Sequence, residues 1–211
     1  MLPSFGLLFI TDRRRASLPL AEAVRAALAA IPPGAAAVLL REKDLEGRAL
    51  AELGRTLLPI CRARAAPLLV SDRTDLALAL GLDGVQLAQT SFSAAEARRI
   101  LGPAALIGVS CHSLAELKAA LDGATHATFG PLFETPSKAA FGPPLGPLAL
   151  GDAARLGLPL YALGGITPER VPLLGAAHGV AAIGAALGHA RPAEAASKLW
   201  AAFQRWKSSG R

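Results

Sequence analysis

Eight short apolar runs, each followed by a longer amphipathic or turn-rich stretch, alternate from one end of this 211-residue chain to the other. Most runs are apolar at every position, which is typical of strands buried on both faces of a parallel sheet. The predicted strands are residues 6–11, 36–41, 67–71, 84–87, 105–110, 126–130, 159–163 and 179–184. Repeated strand–helix units of this kind predict an α/β fold.

The same alternation is compatible with an open doubly wound sheet or with a closed barrel. An open sheet normally carries a glycine fingerprint after its first strand, whereas this chain has Thr11, Asp12 and Arg13 there. Eight evenly spaced units favour a (β/α)₈ TIM barrel. No linker or low-complexity tract divides the chain, so we predict that residues 1–211 form a single domain.

Composition excludes several classes of protein. An apolar fraction of 52% with 18% charged residues argues against disorder. The net charge of +6 comes from scattered basic residues with few aromatics, which argues against a nucleic-acid partner. Cys61 and Cys111 match neither a metal-binding spacing nor a disulfide framework, so we predict two free thiols.

Two apolar segments need an interpretation other than a membrane partner. The run at residues 5–10 has no basic stretch before it, so we expect no signal peptide. Residues 171–190 lack Asp, Glu, Lys and Arg, but Pro172 and four glycines interrupt them, which favours a helix end, a strand and a glycine loop. We expect a cytoplasmic protein and leave a homo-oligomer open.

The carboxyl ends of the strands carry the functional residues of such barrels, and here these ends are polar. The side chains predicted to contact a substrate are Arg41, Lys43, Asp72, Arg73, Gln86, Ser110, Thr135 and Lys138. Arg41, Lys43 and Lys138 would suit a second phosphate or a diphosphate. Lys138 belongs to the one long connection, residues 131–147, and a loop of that length is usually functional.

The last two strands end in small residues: Gly164 and Gly165 after strand seven, and Gly184 and Ala185 after strand eight. Glycines let backbone N–H groups approach an anion closely, and barrels commonly hold phosphate at these two strand ends. Glycine also serves as an ordinary turn residue. Because both strands show the feature, we predict a phosphate site formed by these four residues.

Candidates for proton transfer and metal binding are few. His112 follows strand five and is either an acid–base group or a partly buried histidine. His126, His178 and His189 adjoin apolar runs and are interpreted as structural. Asp72 suits Mg²⁺, but clamping a diphosphate usually needs a second carboxylate close by, and the sequence offers no obvious one.

Six ordered motifs resemble the thiamine phosphate synthase/TenI family, over residues 10–187. They are LREK at 40–43, SDRTDLA at 71–77, DGVQL at 83–87, GVSCHS at 108–113, FGPLFETPSK at 129–138 and ALGGI at 162–166. The resemblance implies a (β/α)₈ barrel that binds a thiazole phosphate or couples it to a pyrimidine diphosphate.

The family has two branches, and this chain departs from both. Synthases typically have Gln at the position of Leu39, Asn at that of Ser71, and an Asp that binds Mg²⁺ at that of Ser91. The resemblance therefore implies Mg²⁺ as a cofactor only if the chain is a synthase. In the TenI branch, which aromatises a thiazole phosphate tautomer, the acid–base histidine falls at Pro131.

The chain is nevertheless closer to the TenI branch, which the stretches at 85–87, 91–93 and 133–135 resemble more. Together, these similarities and departures rank three interpretations. The first is a TenI-like thiazole tautomerase with His112 or Glu134 as its catalytic acid–base group, because one well-placed group can remove and return the proton. The alternative is a thiamine phosphate synthase coupling thiazole phosphate to hydroxymethylpyrimidine diphosphate. The third is a non-catalytic binder of thiamine intermediates.

Overall fold

Eight parallel strands close into a barrel in chain order in the computed structural model, which describes residues 3–135 and 143–209. The strands are β1 Leu7–Ile10, β2 Ala36–Leu40, β3 Leu68–Ser71, β4 Gly84–Leu87, β5 Leu106–Cys111, β6 His126–Phe129, β7 Leu160–Ala162 and β8 Gly179–Ala182. All eight predicted strands are confirmed, with ends that differ by at most two residues. The closed order also confirms the TIM barrel over the open sheet.

Seven α-helices surround the barrel in the described residues. They are α1 Leu20–Ala29, α2 Gly47–Arg62, α3 Thr74–Leu80, α4 Ala94–Leu101, α5 Leu114–Ala120, α6 Ala149–Ala154 and α7 Pro192–Ser208. Between β7 and β8, where Thr167 and Pro168 predict a helix start, the chain forms only a 3₁₀ helix, Val171–Leu173. Pro172 lacks an N–H and Gly175 adopts φ +50°, so the turn does not extend into an α-helix.

Serine side chains cap α4 and α5 in different ways. Ser93 and Glu96 form a complete capping box at α4. At α5, Ser113 accepts from the Glu116 N–H, but the Glu116 carboxylate accepts from the backbone of His112. The second cap therefore holds the end of β5 and His112 in place.

A cluster of aromatic side chains lies inside the barrel. Phe5 stacks on Tyr161, and the Tyr161 hydroxyl donates to the Phe5 carbonyl at 2.7 Å. His126 is fully buried and packs edge-on against both rings. Burial lowers the pKa of His126 to about 3, so its imidazole is neutral at physiological pH. These contacts support its structural interpretation.

Two further expectations concern the apolar segments and the thiols. Within residues 3–135 and 143–209, every helix is too short or too polar to cross a membrane, and residues 179–182 form β8. Cys61 and Cys111 are unpaired and buried, and burial raises the pKa of each thiol to about 12. Both are therefore protonated and shielded.

Candidate functional site

A cavity of about 340 Å³ opens at the carboxyl ends of the strands, on the side of the mouth formed by β5 to β8 and β1. Its lining includes Arg15, His112, Pro131, Glu134, Thr135, Gly164, Gly165, Arg170, Gly184 and Ala185. The opposite side of the mouth, formed by β2 to β4, carries Arg41, Lys43, Asp72 and Ser91 outside this cavity. The mouth therefore has two halves of different chemistry.

The four residues predicted to bind phosphate all line the cavity. Gly164 and Gly165 adopt φ +98° and +64°, conformations that favour glycine. None of the N–H groups of Gly164, Gly165, Gly184 and Ala185 donates a hydrogen bond to another residue within 3–135 or 143–209. These four residues, the glycine cradle, thus present uncommitted backbone donors to one cavity, as a bound phosphate requires.

Close contact with the loop after β6 fixes the shape of the cradle. The Phe133 N–H donates to the Gly164 carbonyl at 3.2 Å. Arg170 donates to the Gly165 carbonyl at 2.7 Å and lies 4.8 Å from the centre of the Phe133 ring. A Cβ on Gly165 would lie 2.8 Å from the Phe133 Cβ and from the Glu134 carbonyl oxygen. Sequence reasoning missed Arg170, whose only signal was a basic residue soon after the GGI motif.

The two predicted acid–base residues lie at the wall of the same cavity. The His112 ring donates through Nδ1 to the Gly130 carbonyl, which fixes its tautomer and leaves Nε2 as the acceptor. Glu134 is exposed, and Pro131, joined to Gly130 by a cis peptide bond, lines the cavity beside it. Both candidates can therefore reach a ligand held at the cradle.

Asp72 dominates the other half of the mouth. It follows β3 at φ +58°, and its carboxylate accepts from the Ala88 N–H at 2.7 Å, from the Ser71 hydroxyl at 3.1 Å and from the Ser91 hydroxyl. Ser91, at the position where the resemblance implies a metal-binding Asp in synthases, is thus in direct contact with Asp72. No Lys, Arg or His in the described ranges forms an ion pair with Asp72.

The Asp72 carboxylate and the Ser91 hydroxyl fit an Mg²⁺ ion that takes its other ligands from water and from a bound phosphate. In the described part of the chain, no group of three His, Cys, Asp or Glu side chains converges as a metal cage. Mg²⁺ characteristically uses one or two carboxylates and takes its remaining ligands from water and substrate phosphates. Asp72 with the Ser91 hydroxyl therefore suits an ion that arrives with a diphosphate.

Arg41 and Lys43 lie at the end of β2, beside Asp72 in strand order. The Arg41 backbone N–H donates a hydrogen bond to the Thr11 hydroxyl oxygen at 2.9 Å. Neither cation has an ion-pair partner among residues 3–135 and 143–209. Both charges are available to an anionic ligand. Lys138, the third predicted cation, lies outside the described residues.

Two of the residues predicted to contact a substrate have partners within the protein. The Arg73 guanidinium makes two hydrogen bonds to Asp75, of 2.8 and 2.5 Å, and lies against Gly47 at the start of α2. Gln86 is only 2% exposed inside the barrel, and its amide donates to the Ser110 hydroxyl at 3.2 Å. Arg73 therefore braces two helices, and Gln86 supports Ser110, which is half-buried near the mouth.

Changing Ser91 to Asp is expected to tighten divalent-cation binding about tenfold, because a second carboxylate raises the charge of the ligand set. The measurement is Mn²⁺ binding by electron paramagnetic resonance in the presence of inorganic diphosphate, with Mg²⁺ as competitor. Thr90→Asp is the matched control, since Thr90 is the exposed neighbour and adds the same charge without the contact to Asp72. Equal tightening in both variants would contradict a site at Asp72 and Ser91.

Comparisons with known proteins place this architecture among thiamine enzymes. The thiamine monophosphate synthase family matches residues 7–186. The thiamine-phosphate synthase of Roseiflexus castenholzii is 45% identical over 90% of this chain and 83% of that protein. The thiamine-phosphate synthase of Chlorobium luteolum is 44% identical over 82% of this chain and 83% of that protein. The structure of a thiamine phosphate pyrophosphorylase from Pyrococcus furiosus superimposes with a TM-score of 0.84 at 31% identity, covering 97% of this chain and 98% of that one.

Proposed function

Because this chain belongs to the thiamine monophosphate synthase family, we propose that it couples a thiazole phosphate to hydroxymethylpyrimidine diphosphate. A C–N bond forms between the thiazole ring nitrogen and the pyrimidine methylene carbon as the C–O bond to diphosphate breaks. The products are thiamine phosphate and diphosphate. The observation that carries the proposal is the two-part mouth, in which uncommitted donors and uncommitted charges lie on opposite sides.

The relatives reverse the order of the first two interpretations. Residues 39, 71 and 91 depart from the synthase pattern and favour a TenI-like tautomerase, but the curated relatives at 44–45% identity carry synthase names. The interpretation as a thiazole tautomerase is therefore not supported. A contact supports the synthase proposal despite the departure at Ser91, since the Ser91 hydroxyl donates to the Asp72 carboxylate and both oxygens would be close enough to share an ion.

The glycine cradle would hold the phosphate of the thiazole substrate. Backbone N–H groups are rigid donors, and hydrogen bonds to a charged group are each worth roughly 1.5–3 kcal/mol. The adjoining wall contains the ring of His112 and the side chains of Glu134 and Thr135. With no tautomerisation step to catalyse, His112 and Glu134 would orient the thiazole ring so that its nitrogen faces the β2–β4 half of the mouth.

The diphosphate would bind at the other half. Arg41 and Lys43 would neutralise its charge, together with Lys138, the third cation that the sequence predicts at the mouth. Fixed cations in a partly enclosed site stabilise a departing anion without reorganisation at the moment of reaction. Mg²⁺, when bound with the diphosphate, supplies further charge withdrawal from the leaving group. Asp72 and the Ser91 hydroxyl would hold that ion at the edge of the barrel.

The test is to measure thiamine phosphate formation from the two substrates. We expect product only when both substrates and Mg²⁺ are present, with turnover that chelation abolishes and that Mg²⁺ restores. Reactions lacking one substrate are the controls. If no product forms at saturating substrates and Mg²⁺ while calorimetry detects thiazole phosphate binding, the synthase proposal is wrong and the chain is a binder of a thiamine intermediate.

A further inference from the structure

Arg15 lies in the loop between β1 and α1 and faces the glycine cradle from the side opposite the β6 loop. Its guanidinium rests over Gly184, where an added Cβ would be 3.1 Å from Nη2 and 3.5 Å from Cζ. A Cβ on Gly188 would lie 3.1 Å from the Arg15 carbonyl oxygen. The backbone and the side chain of Arg15 therefore both contact the loop that follows β8.

The loop between β1 and α1, which contains Arg15, is anchored on both sides of this residue. On one side, the Arg13 N–H donates to both Glu42 oxygens at 3.1 and 3.0 Å, and Glu42 is buried at the end of β2. On the other side, the Ser17 hydroxyl donates to the His189 carbonyl at 2.8 Å, in the loop before α7. Because both anchors are fixed, the guanidinium is presented to the cavity without a large cost of ordering the loop.

The charge of Arg15 is uncommitted, unlike that of its neighbours. Arg13 makes two bonds of 2.6 Å to Asp44, and Arg14 lies 2.8 Å from the same carboxylate. The Arg13 guanidinium lowers the pKa of Asp44 to about 2, as expected for a fully ionised partner. Arg15 has no carboxylate partner within the described ranges, and it lines the cavity.

We propose that Arg15 binds the phosphate of the thiazole substrate and makes the site selective for phosphorylated over unphosphorylated thiazole. The inference rests on the proposed function and deepens it. The backbone donors of the cradle are neutral overall, whereas a phosphate monoester carries a charge of about −1.5 to −2 at pH 7. A guanidinium supplies a full positive charge and two parallel N–H donors that match two phosphate oxygens.

The experiment compares Arg15→Gln with Arg14→Gln, a neighbouring Arg already paired with Asp44. In steady-state synthesis with each substrate varied, Arg15→Gln is expected to raise the KM for thiazole phosphate about tenfold or more. The KM for pyrimidine diphosphate and the use of unphosphorylated thiazole alcohol should stay unchanged. Arg15→Lys should recover part of the loss, because it restores the charge without the planar fork. Arg14→Gln should behave like the parent.

Binding measurements separate failure of this inference from failure of the proposed function. If the parent forms no thiamine phosphate, calorimetry with thiazole phosphate and with inorganic phosphate still compares the two variants. A loss of about tenfold confined to Arg15→Gln would support the phosphate role without any turnover. The inference is overturned if Arg15→Gln binds both ligands like the parent, weakens thiazole alcohol equally, or loses no more than Arg14→Gln.

Discussion

Replacing Asp72 by Asn is expected to slow Mg²⁺-dependent thiamine phosphate formation by about 10²–10³-fold, the largest effect on rate expected of any single change. Because we propose that Asp72 and Ser91 hold Mg²⁺ beside the diphosphate, losing the Asp72 charge should remove several kcal/mol of leaving-group stabilisation, and each tenfold in rate is about 1.4 kcal/mol. Asn tolerates left-handed backbone such as the φ +58° at this position, and its amide oxygen still accepts from Ala88. The variant should therefore fold normally.

Asp75→Asn is the matched control for this prediction. Asp75 lies in the first turn of α3, and Arg73 holds the pKa of its carboxyl below the ordinary value by donating two hydrogen bonds. The same loss of one negative charge nearby should leave the rate within about twofold, because Asp75 bonds Arg73 rather than Ser91, and the lost exposed pair should cost only about 0–1 kcal/mol of stability. If Asp72→Asn retained the parental rate at saturating Mg²⁺, or if both variants were equally slow, Asp72 would not be the ion's ligand.

The barrel could be predicted from the sequence because strands buried on both faces leave continuous apolar runs. Each of the eight runs became a strand, with its carboxyl end at the mouth. The connection after β7 could not be predicted in the same way. Thr167 and Pro168 give an ordinary helix-start signal, but Pro172 and the left-handed Gly175 limit the segment to one 3₁₀ turn.

The polar strand ends predicted where the site lies, but not which way each side chain points. Arg73 and Gln86 lie near strand ends, as Asp72 and Ser110 do. However, Arg73 pairs with Asp75 in α3, and Gln86 is enclosed in the barrel. Arg15 was missed because its importance arises from contact with the loop after β8, at the far end of the chain. No local pattern encodes such a contact.

The ranking of functions from sequence failed for a related reason. Motif comparison treats each position separately, so by itself it interprets Ser91 as the loss of a metal ligand. In the structure, the Ser91 hydroxyl contacts the Asp72 carboxylate, so the pair keeps two adjacent oxygen atoms that can serve as metal ligands. Similarity over most of the chain outweighs three changed positions, and their effect should appear in cation affinity before it appears in the reaction catalysed.

Replacing Gly165 by Ala is expected to weaken thiazole phosphate binding about 30–100-fold. The residue adopts φ +64°, and its Cβ would lie 2.8 Å from the Glu134 carbonyl oxygen and 3.0 Å from Arg170 Nη1. The β6 loop must then shift, which disturbs the wall of the cavity and the direction of the cradle's N–H groups. Misplacing one backbone donor to a charged phosphate costs roughly 2–3 kcal/mol, which corresponds to this loss of affinity. Titration calorimetry with thiazole phosphate measures it.

Gly157→Ala separates this effect from backbone strain. Gly157 adopts a left-handed φ of +81° after α6, and no heavy atom lies within 4 Å of where its Cβ would be. Both variants should lose about 1–2 kcal/mol of unfolding free energy from the Cβ in left-handed backbone, and Gly165→Ala should lose more because its Cβ also forces the β6 loop to shift. Only Gly165→Ala should lose thiazole phosphate affinity, and its affinity for pyrimidine diphosphate should be retained because we propose that this ligand binds at the β2–β4 half. Equal loss of both ligands would mean that the mouth has collapsed as a unit, and parental affinity for thiazole phosphate would place the phosphate elsewhere.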